Sequence, residues 1–190
     1  MKTYLSETEI SFLKLLINKK NLNIIADNWD EYNRSYGNIL ISTPGLPIEI
    51  NHSLHNSKYF NDYEELASYH IKKLSSSNDF QYSVMPENLK KKILTENITK
   101  IEIVRDNISL NYKNKIEKYV FDTAIIFHFS SYEWTISQQS IFIPMSNMLF
   151  GKDTKKHINS ISAIKEEWAD DDSDNPSYSV DVNRKFIVID

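Results

Sequence analysis

The segment KIEIVRDNISLNYKNKIEKYVFDTAIIFHF, Lys100 to Phe129, is the most β-rich part of the chain. Lys100–Arg105 and Ile108–Tyr112 each alternate apolar and polar residues. Asp106-Asn107 between them fits a two-residue hairpin turn. Tyr119–Phe129 is apolar at nearly every position, which predicts a central strand. In an unbroken strand Asp122, Ala124, Ile126 and His128 would share one face. Phe121, Thr123, Ile125, Phe127 and Phe129 would share the other. Asp122 and His128 would then stand roughly 20 Å apart along the strand, too far for an acid–base pair.

The β pattern continues on both sides. Trp134–Ser137 and Ser140–Ile143 extend a meander that Pro144 ends. Tyr178–Val182 and Phe186–Ile189 read as a closing hairpin around Asn183-Arg184. Upstream, Asn38–Thr43 and Pro47–Asn51 flank Pro44-Gly45-Leu46, a further hairpin. Pro47 belongs at a strand start or an edge, because it has no N–H for a ladder.

Helical spacing occurs in four places. Ser6-Glu7-Thr8-Glu9 is a capping box, and Ile10, Leu13, Leu16 and Ile17 follow it, predicting a helix over 6–20. Tyr63, Leu66, Ala67, Ile71 and Leu74 predict a second, opened by Asn61 or Asp62. Pro86 at a first helical position starts a short third through Leu89 and Ile93. Ile158, Ile161, Ile164 and Trp168 predict a fourth over 154–168. Helices and strands do not alternate regularly. The expected class is therefore α+β, a mostly antiparallel sheet carrying three to four helices. At 190 residues, one domain spanning 1–190 is expected.

Composition removes several kinds of chemistry. There is no cysteine, so thiolate catalysis, disulfides and cysteine-ligated metals are excluded. The three glycines, Gly37, Gly45 and Gly151, cannot be spaced as a P-loop or a GxGxxG turn. The net charge is −4, all of it in residues 101–190, which argues against a nucleic-acid surface. Acidic Glu7 and Glu9 interrupt the N-terminal region before an apolar signal core can form. No apolar stretch approaches the ~20 residues of a membrane span. A cytoplasmic protein is expected.

Two stretches carry candidate sites. The first is Glu166, Glu167, Trp168, Asp170, Asp171, Asp172 and Asp174, an acidic run with one aromatic residue. Such a cluster suits a basic protein partner, with the indole as an anchor. As a calcium loop it fails, because Asn175 stands where the turn needs glycine. The second is His52 and His55 beside Glu49, with Asp62 downstream. Two imidazoles three residues apart on a helix would share a metal, and Glu49 would add a ligand or a base.

The expected function is a non-enzymatic binding module without a cofactor. One concrete form is a bacterial immunity-like or antitoxin-like antagonist that masks a basic protein. The alternative is a metal-dependent hydrolase built on residues 49–65.

Overall fold

The computed structural model describes residues 3–26, 29–59, 62–82, 89–112, 115–170 and 179–190. Strands make up more than half of the described residues. The described elements are α1 (Glu7–Lys14), β1 (Leu22–Ala26), β2 (Arg34–Ser35), β3 (Ile39–Thr43), β4 (Leu46–Tyr59), β5 (Asp62–Lys73), β6 (Lys90–Leu94), β7 (Lys100–Tyr112), β8 (Lys115–His128), β9 (Glu133–Gln138), β10 (Ser146–Gly151), α2 (Ile161–Asp170) and β11 (Ser179–Ile189). Short 3-10 turns lie at Ser77–Asp79 and Thr154–His157.

The strands form two sheets, ordered β5-β4-β3-β1-β6 and β11-β7-β8-β9-β10-β2, with every pairing antiparallel. This corrects the expected α+β architecture. The described residues form two α-helices rather than three or four, and there are two sheets rather than one. One apolar core joins the sheets. Ile24, Ile41, Ile48, Ile50, Tyr69 and Ile71 from the first meet Ile101, Ile103, Ile125, Phe127, Trp134 and Met148 from the second. Trp134 stacks on Phe127 with ring centres 4.7 Å apart and is fully buried. Burying one such side chain stabilises by ~1.5–3 kcal/mol. Leu13 and Leu16, in and just after α1, close one side of this core.

Several expected turns and helices are strands instead. Residues 62–73 are β5, not a helix. Ala67, Tyr69 and Ile71 alternate inward, while Leu66, Ser68 and His70 take the other face. The Glu, Leu and Ala content favours helix locally, but β4 is 14 residues long and its edge needs a partner. Burial and ladder bonds outweigh the weak propensity. Ile93 lies in β6, and Pro86 lies outside the described residues. Neither Asp106-Asn107 nor Asn183-Arg184 turns: β7 and β11 run straight through them and pair residue for residue. The last helix begins at Ile161, after the 3-10 turn at Thr154–His157. The first ends at Lys14. Residues 140–143 are not a strand, and β10 takes the next place beside β9.

The strand expected over Tyr119–Phe129 lies inside the second sheet as β8, which runs to His128, and two local features also stand. Ser6 and Glu9 form a reciprocal capping box on α1. β3 and β4 form the hairpin around Pro44-Gly45, where Gly45 has φ +75°, a left-handed conformation that glycine adopts without strain.

A bulge overturns the face assignment of β8. The pairing passes from Val104–Ala124 to Arg105–Asp122, leaving Thr123 as the extra residue. One inserted residue moves all later side chains to the opposite face. Ile125 and Phe127 therefore face the shared core, as does Asp122, which accepts the Leu5 N–H. Phe121 turns to the outer face and meets Trp168 of α2 at 5.7 Å.

Candidate functional site

The acidic C-terminal region begins on α2. Ser160 precedes the helix, and its hydroxyl accepts the Ala163 N–H at 3.1 Å, satisfying one of the helix's free donors. Ile164 and Trp168 face the outer side of the second sheet, against Ile108, Leu110 and Phe121. Trp168 has no exposed surface and lies 5.0 Å from the Tyr119 ring. It anchors the helix to the sheet and offers no surface to a partner. Glu167 is also used internally, its carboxylate accepting the Ile141 N–H at 3.0 Å. Glu166 is exposed. Asp170 ends α2. Asp171, Asp172 and Asp174 lie outside the described residues. The structure thus fixes the root of the acidic run and leaves Glu166 facing solvent.

His52 and His55 lie on opposite faces of β4, because a strand, unlike a helix, sends residues three apart to opposite sides. His52 points into the core, stacked on Tyr69 at 4.4 Å. Its Nδ1 lies 2.9 Å from Ser146 Oγ, which also meets the Tyr69 hydroxyl at 3.2 Å. Tyr69 and His52 come from the first sheet and Ser146 from the second, so this polar trio bridges the two layers. Burial pushes His52 down to about 3, and its imidazole is neutral at pH 7. Ser146 has no exposed surface, so its contact with His52 is closed to substrate.

His55 takes different neighbours. Its ring meets His70 edge-on at 4.8 Å, and its Nε2 lies 3.0 Å from Ser53 Oγ. His70 Nδ1 lies 3.2 Å from the Glu9 carboxylate, which also accepts the Ile71 N–H. Burial lowers the pKa of His55, and His70 adds to the effect. Glu49 is buried opposite Leu40 and Lys72. Asp62 begins β5, opposite Tyr59. Among the described residues, no three His, Asp or Glu side chains are placed to hold a metal ion.

A cluster of ionisable groups lies elsewhere, on the outer face of the second sheet. Glu102, on β7, binds Lys100 at 2.5 Å and also pairs with Lys155. His128 Nδ1 lies 3.2 Å from Glu133, and its Nε2 lies 3.6 Å from Glu102. Glu133 in turn accepts the Thr154 N–H at 2.9 Å and the Thr154 hydroxyl at 2.8 Å. Burial works to raise the Glu102 carboxyl, but Lys100 and Lys155 outweigh it and hold it low. Burial lowers His128. The cluster fastens the 3-10 turn at Thr154–His157 to the sheet. Sequence spacing could not reveal it, because its members come from β7, β8, β9 and that turn.

All three arginines are held by aspartates: Arg34 by Asp30 at 2.7 Å, Arg105 by Asp122 at 2.6 Å and Arg184 by Asp106 at 2.8 Å. The guanidinium groups best suited to phosphate recognition are therefore each engaged by a carboxylate of the chain, Arg34 at the surface and the other two in the sheet. No helix is long and apolar enough to cross a membrane, among the described residues. Compared with known proteins, the chain matches no family model, no curated protein and no solved structure.

Proposed function

We propose that this protein is a cytoplasmic protein-binding module that engages a basic partner through the acidic region at the end of α2. A small bacterial antagonist of the immunity or antitoxin type is its concrete form. The observation that carries the reading is the seating of α2. Trp168 and Ile164 fix the helix on the second sheet with Glu166 exposed on it, and Asp171, Asp172 and Asp174 follow it directly in the sequence. A cluster of like charges steers an oppositely charged partner and speeds association.

The test begins with capture of partners at low ionic strength, followed by kinetics with the purified partner. Reversing Glu166, Asp171, Asp172 and Asp174 to lysine should slow association at least tenfold at low salt and flatten its salt dependence. An association rate unchanged by the reversal would overturn the reading. Trp168 is left intact, because changing it would disturb the helix.

A further inference from the structure

The two sheets present four edges, and three of them are blunted. At β5, the Ala67 N–H donates to the Ile141 carbonyl at 2.6 Å, and Gln138 donates to the Ala67 carbonyl at 3.1 Å. The Ile71 N–H donates to Glu9 at 3.2 Å. β6 is five residues long and begins with Lys90, Lys91 and Lys92. β2 has two residues. Short strands, lysines and covering groups are the usual means of preventing edge pairing.

Among the described residues β11 is the least covered edge, carrying one lysine, Lys185, and one side-chain bond to its backbone, from Asn107 Nδ2 to the Asn183 carbonyl at 3.2 Å. It runs 11 residues beside β7. Among the described residues, no backbone group outside that ladder bonds it. Phe186 and Val188 stand 50% and 52% exposed on its outer face.

We infer that β11 pairs with β11 of a second copy, antiparallel about a two-fold axis through Asn183, joining two six-stranded sheets into one. The charge pattern of the strand selects this occupant. Asp181 and Lys185 lie two residues to either side of Asn183 and point to the same face. The symmetric register sets each Asp181 opposite Lys185 of the second copy, giving two ion pairs. On the other face Val180 meets Phe186 of the second copy, which covers an exposed aromatic ring. Registers centred on Asp181, Arg184 or Lys185 set like charges directly opposite and are disfavoured. Asp181 now has an exposed contact with Lys165 at 3.5 Å, and exchanging it for a cross-strand partner costs little. A single strand edge buries less area than a standard stable interface, so the dimer is weak and forms at micromolar or higher concentration. The inference does not depend on the acidic interface proposed above.

Sedimentation velocity of the full chain over a range of concentrations tests it. The wild type should move from monomer to dimer, and the β11 amides should gain hydrogen-exchange protection as concentration rises. Asp181→Lys and Lys185→Asp, each verified as folded by thermal melting, should each weaken the dimer roughly tenfold. The charge-swapped double variant should restore it. A chain that stays monomeric with unprotected β11 amides would overturn the inference. So would a dimer that neither reversal weakens, or a double variant no tighter than the single ones.

Discussion

Arg105 grips Asp122 across the β7–β8 bulge, Nε to Oδ1 at 2.6 Å and Nη2 to Oδ2 at 2.9 Å. Asp122 Oδ2 also accepts the Leu5 N–H at 2.6 Å, and Arg105 Nη2 donates to the Leu5 carbonyl at 3.1 Å. The pair therefore ties the N-terminal segment to the middle of the sheet. Asp122 is fully buried, so removing it leaves a guanidinium without its counter-charge. Asp122→Ala should cost about 3–5 kcal/mol in urea unfolding. A loss below 1 kcal/mol would show that solvent takes over the role of Asp122.

His52 predicts a pH dependence. Burial depresses its folded-state pKa to about 3, from the ordinary imidazole value of 6.5. As pH falls below about 6.5, the unfolded chain takes up a proton that the folded chain refuses. Stability should therefore fall by one additional proton of slope between about pH 6.5 and 3, and His52 should add no slope above that window. In His52→Gln the unfolding free energy at pH 7 should be lower, but its slope below pH 6 should flatten by one proton. Equal slopes in the two proteins would refute this.

Thr123 tests the bulge. Its hydroxyl donates to Asp106 at 2.9 Å, beside the Arg184 pair. Thr123→Ala should cost about 1 kcal/mol for that hydrogen bond. Deleting Thr123 removes the extra residue and leaves Ala124 opposite Val104 and Asp122 opposite Arg105, so every neighbour keeps its face and the loss should stay close to that of Thr123→Ala. Circular dichroism and urea unfolding of both variants test this; loss of the fold on deletion would contradict it.

Trp168 and Glu167 should affect folding rather than recognition. Trp168→Ala removes a fully buried indole and should cost about 3–5 kcal/mol, with loss of α2 helicity by circular dichroism. Glu167→Gln keeps an acceptor for the Ile141 N–H and should change stability by less than about 1 kcal/mol.

The opposite orientations of His52 and His55 predict different responses to substitution. His52→Ala breaks the bridge to Ser146 and should cost about 2 kcal/mol or more. His55→Ala, on the half-buried face, should cost less than about 1 kcal/mol. Comparable losses, or a melting temperature that falls for both on adding a chelator, would contradict the separation of the two rings.

The sequence by itself determined the local features. The Ser6–Glu9 cap and the Pro44-Gly45 turn were legible because each depends on residues within a few positions. The apolar run at Tyr119–Phe129 marked a central strand, since only a strand buried on both faces needs it. Tertiary structure decided the rest. β5 is a strand because β4 required a partner, although its own spacing reads as helical. Asp106-Asn107 and Asn183-Arg184 stay extended because β7 and β11 gain a continuous ladder by pairing through them. The bulge at Thr123 reverses two faces through one unpaired residue, and no period in the sequence marks it. The acidic run was visible as charge. That Trp168 and Glu167 serve the fold, while Glu166 faces solvent, follows from where α2 packs. The Glu102, His128 and Glu133 cluster draws on three strands, so only their pairing brings its charges together.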